Sequence, residues 1–221
     1  MSTDLYSRNE KPRLIVFDMD STLIDAECID ELARVAGAEE AVAEITRKTM
    51  NGGLKYSEAL RERVGMLKGL EVGIARETME EIPLMPGAVE LLGHVKDLGY
   101  ITAMLSGGFT LAAGRVGEVL NMDHVYANIL EIKEGKLTGN VTGPLAGDNS
   151  KEIIFEKIAR EHGLKPEDCV VVGDGANDVC IFKRAGYSIA FNPKPILCRY
   201  ADVVITQKDM KAIIPVIDSL R

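Results

Sequence analysis

Apolar residues along this chain of 221 residues follow two alternating rhythms. Short runs rich in β-branched residues occur at 13–17 (RLIVF), 100–105 (YITAML), 169–172 (CVVV), 187–191 (YSIAF) and 202–206 (DVVIT). Continuous apolar runs of this length predict strands buried on both faces. Between most of them the spacing becomes helical, as at 87–99 (GAVELLGHVKDLG) and 150–163 (SKEIIFEKIAREHG). Gly99 is placed to stop the first of these helices and Pro86 to start it, and Ser150 is a candidate N-cap for the second. Strands alternating with helices predict a parallel sheet covered by helices on both faces. Such folds bind ligands beyond the carboxyl ends of their strands.

Two regions break the alternation. Residues 26–81 contain no convincing strand and read as four helical stretches, DELARVAG, AEEAVAEITRKTM, YSEALRERVGMLKG and VGIARETMEEI. They follow the first strand directly and are closed by PLMPG at 83–87, which predicts a helical cap inserted over the carboxyl edge of the sheet. The expected division is a core of 1–25 and 82–221 with a cap of 26–81. At 125–143 (VYANILEIKEGKLTGNVTG), alternating residues flank Glu134-Gly135 and predict a small β-hairpin.

Composition narrows the class. Apolar residues make up 46% and charged residues 27%, as in an ordinary soluble globular chain. The net charge of −8 disfavours nucleic acid and anionic membranes as partners, but a cleft can still present the opposite sign to a small anion. No apolar stretch approaches the roughly 20 residues of a membrane helix. The polar N-terminus is not a signal peptide, so the expectation is a cytoplasmic protein whose first ten or so residues are loose. Cys28, Cys169, Cys180 and Cys198 have spacings that suit neither zinc nor a disulfide framework, and read as buried small hydrophobes.

The candidate chemistry lies at element ends. Asp18 and Asp20 follow the first strand, Ser106-Gly107-Gly108 follows the second, Lys151 lies in a first helical turn, and Asp174 and Asp178 follow CVVV. In a parallel sheet all of these gather at one edge. Four carboxylates there exceed what Lys151 balances, and a hard dication bound by oxygen ligands, magnesium above all, would make up the difference. No histidine lies nearby in sequence, so zinc or iron fits poorly. Glycines before a helix would let a phosphate reach backbone N–H groups. Together these residues describe a phosphoryl site in which an aspartate can act as nucleophile. Taken singly, Asp-x-Asp is more often a turn or cap, Ser-Gly-Gly a loop, and a lone lysine a surface charge. GDGAND lacks the last glycine of a dinucleotide fingerprint, and Cys28 to Arg34 has the Cys-x5-Arg spacing of thiol phosphatases without their glycine-bearing loop.

In order, DMDST, SGG, Lys151 and GDGAND resemble the four motifs of the haloacid dehalogenase superfamily. IDAECIDELA, LRERVGMLKGL, MLSGGF, GKLTG, VGDGANDVCIFKRAG and IAFNPKPILCRYAD resemble its phosphoserine phosphatase branch over nearly the whole chain. The resemblance implies an α/β fold, a Rossmann-like three-layer parallel-sheet core with an inserted helical cap and a small hairpin. It implies magnesium-dependent hydrolysis of O-phospho-L-serine through an aspartyl-phosphate, the last step of serine biosynthesis, by a monomer or homodimer acting on a small phosphomonoester. Asp18 would be the nucleophile and Asp20 the general acid and base. One Mg2+ would be held by Asp18, Asp174 and the backbone carbonyl of Asp20, with Asp178 supporting it. Ser106, the Gly107 N–H and Lys151 would hold phosphate oxygens, with Asn177 nearby. Glu27 would take the substrate ammonium and Arg63 its carboxylate, while Met50 and Tyr56 exclude water. Independently of the resemblance, Tyr56 and Arg63 lie seven residues apart and share a helix face. Two other readings stand beside this one: a transferase of the same fold moving phosphate from phosphoserine to homoserine, and a receiver module that stores phosphate on an aspartate. The Asp-x-Asp pair and the long insertion argue against storage.

Overall fold

The computed structural model describes residues 13–50 and 53–220, without the side chain of Met50, so the expectations for the first ten residues and for Met50 lie outside what it describes. The strands are β1 (Leu14–Phe17), β2 (Ile101–Phe109), β3 (His124–Lys133), β4 (Lys136–Thr142), β5 (Cys169–Gly173), β6 (Tyr187–Phe191) and β7 (Val203–Ile205). They form one sheet in the order β4-β3-β2-β1-β5-β6-β7, parallel except for the β3–β4 hairpin.

Side chains of β1 alternate between two apolar layers, as strand periodicity requires. Ile15 and Phe17 join one layer with Leu91, Val95, Val116 and Ile217. Leu14 and Val16 join the other with Phe155, Ile158 and Phe182. Helices α5 (Ala88–Asp97), α6 (Thr110–Val119) and α9 (Ile214–Ser219) thus cover one face, and α7 (Ser150–Glu161) and α8 (Val179–Phe182) the other. The three-layer α/β expectation holds. None of the described helices is long and apolar enough to cross a membrane.

The insertion consists of α1 (Cys28–Ala36), α2 (Glu39–Met50), α3 (Tyr56–Gly65) and α4 (Val72–Glu81). Its two ends run side by side: Asp25 N–H donates to Pro83 C=O at 3.0 Å and Met85 N–H to Leu23 C=O at 2.8 Å. The hairpin turns at Glu134 (φ 52°) and Gly135 (φ 76°), the left-handed pair of a two-residue turn. It is more than an appendage. Gly69 N–H donates to Leu137 C=O at 2.8 Å, Leu137 N–H to Leu70 C=O at 2.9 Å, and Val72 N–H to Gly135 C=O at 2.9 Å, which ties the hairpin to the α3–α4 connection.

Three local expectations are corrected. Helix α5 starts at Ala88 with Gly87 as its N-cap, so Pro86 precedes the cap instead of opening the helix. The N-cap of α7 is Asn149, at φ 58°, which asparagine tolerates; Ser150 is the first helical residue, and its hydroxyl donates to Gly147 C=O at 2.6 Å. Cys28 and Cys169 are buried as expected, but Cys180 is half-buried and Cys198 exposed, because in the turn Leu197–Tyr200 Leu197 takes the core position. Cys28 opens α1, so the residues after it are helical and form no anion loop.

Candidate active site

Strand β1 ends between β2 and β5, where the chain order of the sheet reverses and a crevice opens. Asp18 N–H donates to Val172 C=O at 2.9 Å, carrying the ladder one residue past β1. The Asp18 carboxylate is buried and held from several directions. Its Oδ1 accepts from Met19 N–H at 2.9 Å and lies 2.9 Å from Lys151 Nζ; its Oδ2 accepts from Asn177 Nδ2 at 3.0 Å. Lys151, the second residue of α7, also donates to Asp178 Oδ1 at 2.5 Å. Asp174 follows β5, and Asp178 closes the short turn Ala176–Asp178.

Carboxylate oxygens of Asp18, Asp174 and Asp178 lie within 4.8 Å of one another. Burial, then the Asp18 charge, pushes Asp174 up to about 7 and Asp178 up to about 6, although Lys151 opposes the rise at Asp178. Lys151, as expected from the sequence, does not balance these acids alone; a second cation that the sequence reading did not place stands here, Lys194 Nζ at 3.2 Å from Asp174 Oδ2. Lys194 is shared with Glu27 Oε1 at 3.0 Å, so with Asp20 protonated the carboxylates of Asp18, Asp174, Asp178 and Glu27, when ionised, face two lysines, which leaves two negative charges. A buried oxygen-only donor set with that deficit fits a divalent cation such as Mg2+.

Asp20 lies beside this cluster. Its Oδ1 accepts from Cys28 N–H at 3.1 Å, yet burial, followed by the charge of Glu27, raises its carboxyl to about 7. Ser106 to Gly108 approach from β2. They fall inside the strand and not at a helix start, since α6 begins only at Thr110. The expected cradle at a helix N-terminus is therefore a bulged strand end: pairing with β1 stops at Met104, and pairing with β3 is interrupted between Leu105 and Phe109. Asn128 holds this stretch, with its Nδ2 donating to Gly107 C=O at 3.0 Å and its Oδ1 accepting from Leu145 N–H at 3.1 Å. The glycines are required by close approach. A Cβ at Gly107 would stand 2.5 Å from the Tyr56 hydroxyl, and one at Gly108 would stand 2.6 Å from Asp20 Oδ2. Gly108→Ala should therefore displace the Asp20 carboxyl and lower catalytic turnover by about tenfold or more while the protein stays folded; a circular dichroism spectrum and a steady-state assay check both halves.

The insertion reaches the site from above. Tyr56, first residue of α3, covers Gly107. Glu27, the N-cap of α1, accepts through Oε1 from Ser21 Oγ at 2.9 Å and Lys194 Nζ at 3.0 Å. Arg63 Nε donates to Ala59 C=O of its own helix at 3.3 Å and makes no ion pair among the described residues. Asp148 accepts from Ser57 N–H at 3.0 Å and Ser57 Oγ at 3.1 Å, clipping the start of α3 to the loop before α7. A cavity of about 420 Å³ lies on this side, lined by Tyr56, Gly107, Asp148, Lys151, Asn177 and Cys180 among others.

The structure thus brings Asp18, Asp20, Ser106, Gly107, Lys151, Asp174, Asn177 and Asp178 together, with Glu27 and Tyr56 beside them. Sequence reasoning missed Lys194, Asn128, Asp148 and the contact of Ser21 with Glu27. For Lys194 a signal was present: a lysine between Pro193 and Pro195 just past a strand end on the same sheet edge.

The family model of the haloacid dehalogenase-like hydrolases matches residues 12–186. The chain is 45% identical over 205 residues to the phosphoserine phosphatase of Methanocaldococcus jannaschii, covering 93% of this chain and 97% of that one. It is 42% identical over 202 residues to the phosphoserine phosphatase of Wolinella succinogenes, covering 91% and 98%. A solved structure of a substrate-bound phosphoserine phosphatase complex matches with a TM-score of 0.89 and 44% identity over 94% of this chain and 99% of that one. A phospho-aspartyl intermediate analogue of phosphoserine phosphatase matches with a TM-score of 0.89 and 45% identity, with the same coverage of 94% and 99%.

Proposed function

Since the chain belongs to the haloacid dehalogenase-like hydrolases, we propose that it hydrolyses O-phospho-L-serine to L-serine and inorganic phosphate, completing serine biosynthesis. The observation that carries this reading is Asp18: a buried carboxylate at the sheet's crevice, fixed by Lys151 and Asn177 and backed by two further acids.

The residues divide the work as follows. A carboxylate oxygen of Asp18 attacks phosphorus, and the bond from phosphorus to the serine oxygen breaks. Asp20, protonated because its environment raises it to about 7, gives that proton to the departing oxygen. The resulting Asp20 carboxylate then takes a proton from the water that attacks the aspartyl-phosphate, and the bond from phosphorus to Asp18 breaks. Lys151, Ser106 and the Gly107 N–H hold phosphate oxygens, with Asn177 beside them. Asp18, Asp174 and the Asp20 carbonyl would hold Mg2+, supported by Asp178, and when bound it supplies positive charge opposite the transferring phosphoryl group. Glu27 receives the ammonium and Arg63 the carboxylate, for which a guanidinium that makes no ion pair among the described residues is suited. Tyr56, over Gly107, shields the site from water.

Residues 26–81 serve as the cap of a core made of 1–25 and 82–221, hinged near 24–27 and 84–87, where the two connections pair through a single bridge between Ile24 and Leu84. Hydrogen exchange in the cap should slow when ligand binds; unchanged exchange together with superposable free and bound crystals would remove the gating role.

The test of the function is phosphate release from phosphoserine with and without Mg2+, repeated with added homoserine. Serine and phosphate in equal amounts support hydrolysis. Phosphohomoserine as the main product would assign the transferase activity instead, and one stoichiometric phosphorylation without turnover would make the protein a receiver.

Metal binding should also be linked to pH. The folded-state pKa values of Asp174 and Asp178 stand above the ordinary 3.8, at about 7 and about 6. Each therefore contributes stability that is present at low pH and lost as pH rises through those values. A cation that needs both groups ionised must displace protons below that range. The rise in melting temperature caused by Mg2+ is expected to be small at pH 5 and larger at pH 7.5, with proton uptake by buffer on binding near pH 6. Equal shifts at both pH values would contradict this.

A further inference from the structure

Lys194 sits where the sheet edge, the metal-type acids and the insertion meet. Its backbone is held in place: Pro193 and Pro195 flank it, Asn192 before them is left-handed at φ 41°, and Lys194 N–H donates to Asp174 C=O at 2.8 Å. From this anchor Nζ reaches Asp174 Oδ2 at 3.2 Å and Glu27 Oε1 at 3.0 Å. Burial pulls its pKa down, but the charges of Asp174 and Glu27 outweigh that and hold it above the ordinary lysine value. Ser21 Oγ donates to the same Glu27 oxygen at 2.9 Å. Ser21 itself is a non-glycine residue at φ 56°, a conformation that persists where surrounding structure imposes it. Both donors thus converge on Oε1, and Glu27 Oε2 accepts no hydrogen bond from the described residues.

We propose that Lys194 is a positioning residue: with Ser21 it pins Glu27 through Oε1 and presents Oε2 to the α-ammonium of the substrate, so that the site selects amino-acid phosphates. The inference rests on the reading of Glu27 under the proposed function. It assigns Lys194 no contact with the reacting atoms. Two donors on one carboxylate oxygen, each favouring the plane of the group, restrict rotation of that plane and so give the other oxygen a preferred direction.

The test uses the full chain with Mg2+ and compares wild type, Lys194→Met and Lys194→Arg, using phosphoserine as substrate and L-serine and inorganic phosphate as competitive inhibitors. In Lys194→Met the KM for phosphoserine and the inhibition constant for L-serine should both rise about tenfold, with kcat within about threefold. The inhibition constant for phosphate, which has no ammonium, should stay unchanged, and Lys194→Arg should recover most of the loss. Calorimetric binding of L-serine should weaken in parallel. Because Lys194 also touches Asp174, the Mg2+ half-saturation is measured alongside. A rise in both inhibition constants together, a change confined to Mg2+ half-saturation, or an unchanged or lowered KM would each overturn the inference. Wild type that does not turn over phosphoserine would instead remove the reading of the site, and the inference with it.

Discussion

Asp18→Asn should abolish phosphoserine turnover, by about 10⁴-fold or more, because a neutral amide cannot form the phosphoryl ester. The fold should survive. Asparagine has the same shape, and Lys151 keeps its 2.5 Å contact with Asp178. Stability should hold or increase. The Asp18 charge is the second cause, after burial, of the raised pKa of both Asp174 and Asp178, so removing it relieves repulsion among buried acids. An inactive variant that melts at or above the wild-type temperature in metal-free buffer is the expected pair of results. Turnover within tenfold of wild type would end the assignment of the nucleophile.

The next largest effect belongs to Asp20→Asn. A serine alkoxide is a poor leaving group, so loss of its proton donor should slow phosphoserine hydrolysis about 10²–10⁴-fold. With p-nitrophenyl phosphate the first step needs no such proton, but the second still needs a base. The variant should therefore release a rapid burst of p-nitrophenol close to one per active site and then turn over slowly, with phosphoenzyme accumulating. Phosphoserine should show no burst of serine. A burst lost equally with both substrates would show that Asp20 serves binding and not proton transfer.

Much of this site is legible in the amino-acid sequence. Short β-branched runs became strands because their side chains meet apolar layers on both faces, and the four helical stretches between 26 and 81 became α1 to α4. Asp18, Asp174 and Lys151 could be placed because each stands at an element end, and a parallel sheet sends such ends to one edge. Local capping was less legible. Asn149 outranks Ser150 because the loop enters α7 left-handed, a backbone choice that residue type alone does not reveal. Ser-Gly-Gly read as a strand end that leads into a helix; it lies within a bulged β2 that runs on to Phe109, where Asn128, 21 residues from Gly107, holds its carbonyl. The cysteines differ in exposure because a neighbour such as Leu197 competes for the same core position.

By itself the sequence determined which elements form, their order, and which acids and glycines stand at their ends, because periodicity and chain punctuation act within a few residues. Only the tertiary structure decided how the charges are shared. Ser57 meets Asp148 across 91 positions, and Lys194 meets Glu27 across 167. A lysine's reach of a few ångströms becomes a specific contact only after the sheet has closed the distance along the chain. The carboxyl of Asp20 near 7 has the same origin, because burial and the approach of Glu27 are properties of the assembled crevice.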